Sequence, residues 1–320
     1  MSRLNLLDVT KLQGNDAVVG LIEGVVSHHP EINAFPFRPI EGTSYKTSIR
    51  TGLPVVGFRL ANEGQAPSNS TFEQRTVEAF IFGGQIEIDS AVAEADGDGS
   101  VEKVKQREAS GVAMAALRAL GIQIWYGTVR DEKGFPGLKQ ATPFGAITQN
   151  GDPFTINAGG STVQNASSVY AVKLGERDVT LIGGNKTTLK LRDWALQQIT
   201  NPDGKKLTAY VSALNAWIGL QVAHDNCVRR ICNLTTQPGA RLNDSLLGDL
   251  VESFPVGFQP DAIFLSRRSR SQLQASRTVA LIGQGVIRPD QPTIAPVPTE
   301  YGDIPLIATD SIGDFDAIES

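Results

Sequence analysis

The stretch from Gly42 to Ile88 constrains this chain most, because it is a ribbon that its own residues cannot hold. Its first arm, Gly42 to Arg50, alternates, with Thr43, Tyr45, Thr47 and Ile49 on one face and Ser44, Lys46, Ser48 and Arg50 on the other. A second arm, Arg75 to Ile88, alternates likewise and carries Val77, Phe80, Phe82, Ile86 and Ile88. Between them runs TGLPVVGFRLANEGQAPSNSTF, residues 51–72, rich in Gly, Pro, Asn and Ser. Loops of that length are uncommon in compact domains and are usually functional or disordered. A two-stranded ribbon this polar is at best marginally stable in isolation. It must find partners outside its own domain.

The rest of the chain supplies the body. Asn15 is a good N-cap for a helical arm over Asp16 to Ser27, with Val19, Leu21, Ile22, Val25 and Val26 apolar and Pro30 ending it. So small an apolar stripe has to dock on the same or a neighbouring subunit. From Ser100 the period switches to 3.6: Val101, Val104, Gly111, Val112, Ala115, Ala119, Ile122 and Tyr126 predict a helix of about 27 residues and roughly 40 Å. Its second half is rich in alanine, which permits close approach of a sheet or another helix. After the turn-rich GFPGLKQATPFG, residues 152–320 alternate helices and strands. Helices are expected over Leu189 to Thr200, Leu207 to Leu234 and Asp244 to Phe254, then a strand–helix unit in PDAIFLSRRSRSQLQ and a last buried strand in GDIPLIATDSI. This alternation reads as an α/β or α+β domain, and α+β is the fold class expected for the chain.

Chemistry is sparse. Gly183-Gly184-Asn185-Lys186-Thr187-Thr188 lacks the spacing of a phosphate loop and reads as a turn. His224, Cys227 and Cys232 on one predicted helix would point about 0°, 300° and 80° around its axis, so they cannot converge on a metal, and the cysteines read as small core residues. No G-x-S-x-G elbow occurs, and three histidines leave little choice of base, so no catalytic residue, cofactor or metal is expected. Arg267, Arg268, Arg270 and Arg277 read as a solvated or intersubunit salt-bridge face. Two cysteines in 320 residues make no disulfide framework, MSRLNLLDVTKLQGND holds no apolar signal core, and Ala109 to Val129 is broken by Arg118 and Gln123. A soluble protein of a reducing compartment, with no membrane partner, is expected. The net charge of −5 argues against a dedicated duplex binder but allows a wall that faces nucleic acid.

The order of parts (arm, long ribbon, spine helix, mixed domain, final strands) resembles the major capsid proteins of tailed bacteriophages, the Hong Kong 97-like fold. TSYKTSIRTGLPVVGFRLANEG and FEQRTVEAFIFGGQIEID resemble the extended-loop ribbon and return arm of the gp-seven-like branch. SVEKVKQREASGVAMAALRALGIQIWYG with GFPGL resembles the spine helix, and FQPDAIFLSRRSRSQL and YGDIPLIATDSI resemble units of the axial domain and the return to the periphery.

The resemblance implies a structural protein, not an enzyme, whose subunits form hexamers and pentamers of an icosahedral shell around double-stranded DNA, held without sequence-specific binding. It divides the chain into an N-terminal arm (1–35), the extended loop with flanking strands (36–90), a peripheral domain with the spine helix (91–150), an axial domain (151–300) and strands returning to the periphery (301–320). The extended loop would lie on the neighbouring subunit through Lys46, Arg50, Gly52, Pro54, Val55, Val56, Gly57, Phe58, Arg59 and Glu63. Such a contact is head to tail and closes into rings. The implied partners are other copies of the chain, a separate scaffolding protein (the capsid-like sequence starts almost at Met1), a portal and a decoration protein. The implied location is the virion, assembled in the bacterial host cytoplasm. Family members that cross-link use a loop lysine and a distant asparagine; Lys46 lies in the ribbon, but the second position has no match. An encapsulin-type nanocompartment, which shares the fold and stores an enzyme, is the alternative, with a phage enzyme or binding protein behind it.

Overall fold

In the computed structural model, the residues described are 29–95, 101–140, 154–162, 165–186, 189–283 and 294–319. The arm expected over Asp16 to Ser27, and Ser100, from which the spine helix is expected to run, lie outside them. The first sheet places β1 (Phe37–Pro39), β7 (Val179–Gly183), β10 (Lys206–Val222) and β4 (Phe80–Asp89) side by side, with β8 (Lys190–Leu191) and β9 (Ala195–Thr200) also paired to β10. The second sheet runs β13 (Glu300–Tyr301), β14 (Ile304–Ala308), β12 (Ala262–Leu265), β6 (Ser167–Val172), β11 (Val228–Leu234), β5 (Thr155–Asn157). A separate two-stranded ribbon pairs β2 (Ser44–Gly52) with β3 (Thr71–Glu78).

Two expected helices are strands. Leu189 to Thr200 becomes β8 and β9, and Leu207 to Leu234 becomes β10, a short turn and β11. The run LTAYVSALNAWIGLQV is apolar enough on both faces to blur its period, yet its Tyr, Val, Trp and Ile favour a pleated surface. β10 then gains four strand partners, which no helix there could have. β11 is buried along its whole length, so its two arginines are interior groups and not the exposed face of a helix. The second ribbon arm is also divided. It bends at buried Ala79, and β4 leaves the ribbon to pair with β10 from Ala209↔Asp89 to Ile218↔Phe80.

The spine helix forms as α3 (Val101–Tyr126), with α1 (Pro30–Ala34) and α2 (Ser90–Ala95) before it. By length and apolar content alone α3 could cross a bilayer, but half of that stretch is buried inside the fold, the position of a core helix. Its buried residues include Val104, Ala109, Ala113, Ala116, Leu117, Leu120, Ile124 and Trp125; of the expected core face Val104 is buried, Val101, Val112, Ile122 and Tyr126 are half-buried, and Gly111, Ala115 and Ala119 are exposed. The buried face is thus only partly the expected one, because alanines populate several faces and the large side chains decide which one is buried. Trp125 anchors the main core against Phe264 at 5.0 Å, Tyr170 at 5.1 Å and Phe35 at 5.9 Å, so one aromatic cluster ties α3, both β6 and β12, and the segment after α1. Gly121 sits where a Cβ would collide with the Glu31 carboxylate. That fully buried carboxylate accepts hydrogen bonds from Thr309 Oγ1 (2.6 Å) and from Ser311 Oγ, which joins α1 to the end of β14.

The helix expected at Asp244 to Phe254 is α4 (Asp244–Glu252), capped by the Asn243 side chain accepting from Leu246 N at 2.8 Å. The strand–helix unit is β12 with α5 (Arg267–Gly283), and both helices cover the second sheet through Leu247, Leu250 and Leu273. The C-terminal residues close the structure. Glu319 takes two 2.7 Å hydrogen bonds from buried Arg230, and its backbone is held by Asn233.

Candidate functional site

The ribbon is mounted on the body at its root and leaves its tip bare. Its register runs from Ser44↔Glu78 to Arg50↔Phe72, then shifts before Gly52↔Thr71. The shift falls where Gly52 lies so near Thr71 that an added Cβ would meet the Thr71 hydroxyl, a close approach that favours glycine. At the root, the Tyr45 hydroxyl and Arg38 both donate to Gln221 Oε1, and the Arg38 guanidinium lies 4.8 Å from the Tyr45 ring centre. Gln221 in turn donates through Nε2 to the carbonyls of Glu176 (3.1 Å) and Asp178 (3.3 Å). Burial here raises the Tyr45 pKa, opposed by the Arg38 charge. Across the ribbon, Arg75 pairs with Asp225 at 2.9 Å. Tyr45 and Thr47 are half-buried while Ser44, Lys46 and Ser48 are exposed, which is the alternation read from the sequence.

Beyond Arg50 the loop touches mainly itself. Ser68 Oγ donates to Val55 O (3.1 Å), Gln65 Nε2 to Gly57 O (3.3 Å) and Arg59 to Glu63 O (3.0 Å), and the Glu63 carboxylate accepts from Leu60 N (3.0 Å). Arg50 lies over the Phe72 ring at 5.4 Å. These bonds hold the loop's shape without covering its apolar side chains. Val55 is 80% exposed, Val56 85%, Phe58 fully exposed, and Leu53 and Leu60 nearly as bare. Pro54 and Gly52 are half-buried. Monomeric proteins rarely leave so many apolar side chains together in water.

Sequence reasoning missed a second apolar surface. Ala115, Ala119 and Ile122 of α3 face Phe80, Ile81 and Phe82 of β4 across an open groove of about 460 Å³, rimmed by Arg118, Arg130, Asp131 and Lys133. The signal was present in the helix's alanine row, which reads equally well as core.

The basic residues near α5 are engaged within the chain. Arg277 pairs with Asp244 at 2.7 Å, Arg268 with Asp314 at 3.3 Å, and Arg267 with Asp310. The premise that kept His224, Cys227 and Cys232 apart does not hold, because they share no helix: His224 and Cys227 flank a single 3-10 turn and Cys232 lies in β11. His224 and Cys227 meet Asp178, with the three candidate ligand atoms within 4.8 Å of one another, while Cys232 turns away to the Ile156 carbonyl at 3.4 Å.

Against known proteins, the chain is similar over 88% of its length to a chain of the near-atomic structure of bacteriophage Epsilon15 derived from cryo-EM, covering 86% of that chain at 17% identity with a TM-score of 0.64. That likeness shows the Hong Kong 97-like capsid fold. A procapsid structure of bacteriophage JBD30 overlaps 95% of this chain and 98% of that chain at 8% identity and a TM-score of 0.45. The SrpI encapsulin of Synechococcus elongatus PCC 7942 overlaps 65% and 89% at 9% identity and 0.42. Neither of these two overlaps bears on function. A search of curated proteins gives no match. The family model described as major capsid protein GP7 matches residues 21–313, nearly the whole chain. With that match the bare loop, the spine helix and the two sheets acquire one explanation: the chain belongs to the major capsid protein GP7 family.

Proposed function

We propose that this shell protein closes head to tail into hexamers and pentamers of a tailed-phage head around double-stranded DNA, and that residues 51–72 are its intersubunit clamp. Lys46, Arg50, Gly52, Pro54, Val55, Val56, Gly57, Phe58, Arg59 and Glu63 form the contact. The observation that carries this reading is the bare apolar run from Leu53 to Leu60 on a loop whose hydrogen bonds already hold its shape. A preshaped apolar surface loses less loop-ordering entropy on docking, so more of its burial survives as binding free energy. Arg59 and Glu63 contribute mainly by stiffening the loop, since each bonds to the other's stretch of chain. The division into arm (1–35), extended loop (36–90), peripheral domain (91–150), axial domain (151–300) and returning strands (301–320) is part of this proposal. So are a purely structural, non-catalytic role, a separate scaffolding protein, a portal, a decoration protein and assembly in the host cytoplasm.

The test replaces residues 53–69 with a short glycine linker. The subunit should stay soluble and melt cooperatively, because the cores around Trp125 and Leu250 contain none of these residues. Shells should fail to form, or dissociate readily, by electron microscopy and sedimentation. Shells as stable as the parent's would end the clamp reading.

A further inference from the structure

The turn between β10 and β11 holds a side-chain cluster that shell assembly does not explain. Asp178 immediately precedes β7, while His224 and Cys227 lie between β10 and β11. Asp178 Oδ1 is 3.3 Å from His224 Nε2 and 3.8 Å from Cys227 Sγ, and that sulfur is 3.4 Å from the imidazole nitrogens. A tetrahedral zinc site has bonds of about 2.3 Å to sulfur and 2.0–2.2 Å to nitrogen and oxygen, which sets its ligand–ligand edges at roughly 3.4–3.6 Å. The three observed edges bracket those values.

We propose that Asp178, His224 and Cys227 form a binding site for a divalent transition-metal ion of zinc's class, with water in the fourth position. The donor set selects the class. One thiolate, one imidazole and one carboxylate suit a borderline-soft ion, whereas calcium and magnesium take oxygen ligands alone. Because Sγ is equally far from both ring nitrogens, the imidazole must turn about its Cβ–Cγ bond to aim Nε2 at the ion. The ring is about a quarter exposed, with Phe258 packed edge-on at 5.4 Å, so the position is reachable from solvent. Only the thiolate ligates, so loading the ion releases the Cys227 thiol proton to water. The same trio is poorly suited to nucleophilic chemistry, since Cys227 is fully buried.

The location gives such an ion a structural consequence. Asp178 immediately precedes β7 of the first sheet and Cys227 immediately precedes β11 of the second, so the ion would tie the two sheets where the chain passes between them. The ribbon's root is mounted on the same segment, through Gln221 to the Asp178 carbonyl and through Asp225 to Arg75.

The experiment is a cobalt(II) titration of the full-length protein after chelator treatment, followed by displacement with zinc. The expected result is a thiolate-to-cobalt charge-transfer band with the intense visible bands of four-coordinate cobalt, saturating at one ion per chain and abolished by zinc. Cys227→Ser should remove the charge-transfer band, and Cys232→Ala should leave it intact. His224→Gln and Asp178→Asn should weaken binding at least about tenfold, since losing even outer-shell partners costs a metal site 10–100-fold. Metal-free melts of each variant establish folding. Should Cys227→Ser not fold, the parent and Cys232→Ala spectra decide the matter alone. Absence of the charge-transfer band in the parent, its loss in Cys232→Ala, or unweakened binding in folded His224→Gln would overturn the proposal.

Discussion

Phe58→Ala separates what the loop does for the subunit from what it does for the shell. Phe58 is fully exposed, so its removal deletes no contact within the subunit, and subunit stability should change by less than about 0.5 kcal/mol. If a neighbouring subunit covers it, burying the ring contributes about 1.5–3 kcal/mol, of which alanine retains a minor part. A loss of about 2 kcal/mol weakens each contact roughly 30-fold. Every subunit in a closed ring makes this contact, so the losses compound, and the denaturant concentration that dissociates particles should fall well before the one that unfolds subunits. The assay is paired: urea unfolding of the unassembled subunit by circular dichroism, and particle dissociation in the same urea series by light scattering or sedimentation. Being apolar, the lost contact should leave the salt dependence of dissociation unchanged. Unaltered dissociation of Phe58→Ala particles would refute the reasoning, as would a drop in subunit stability above about 1 kcal/mol.

Three further outcomes follow from the interior. Arg230 is 1% exposed and doubly bonded to Glu319, so Glu319→Ala should cost about 3 kcal/mol by removing the carboxylate that offsets the buried guanidinium's charge; urea unfolding should also find the double variant with Arg230→Met less destabilised than Glu319→Ala alone. Gly127 has φ +56° and a Cβ there would strike the Gly137 backbone, whereas Gly159 has φ +81° in open space. Gly127→Ala should therefore cost about 2 kcal/mol or more in thermal melts and Gly159→Ala only about 1. Burial raises the Asp316 pKa above 3.8, opposed by Lys139. Its native form thus holds the proton more tightly than the unfolded chain does, and this contribution to stability is present at low pH and lost as pH rises through the raised value. Asp316→Asn should remove that slope on the side above the ordinary carboxylate range in urea titrations.

The sequence alone determined the parts whose information is local. The ribbon's alternation needs only period 2, and β2 forms where its first arm runs, whereas the second arm is divided: β3 starts at Thr71, inside the expected loop, and the rest becomes β4 beside β10. The spine helix needs only a long uninterrupted run of helix formers, and α4 needs a cap at Asn243 and a stripe of leucines. The loop's lack of partners was legible for the same reason, since Gly, Pro and exposed apolar residues in one stretch offer no local structure to hide in. Tertiary structure decided the rest. Leu207 to Leu234 has apolar residues on every face, and whether it coils or extends depends on strands far away in the chain that pair with β10 and β11. The alanines of α3 fit several orientations, and Trp125, by filling the space between Phe35, Tyr170 and Phe264, selects one. The meeting of Asp178 with His224 and Cys227 followed from neither composition nor spacing, because it exists only once β7 lies beside β10. Local periodicity is set by the backbone geometry of a few consecutive residues, but which face is buried, and which distant side chains meet, is set by packing among elements that the chain brings together only when it folds.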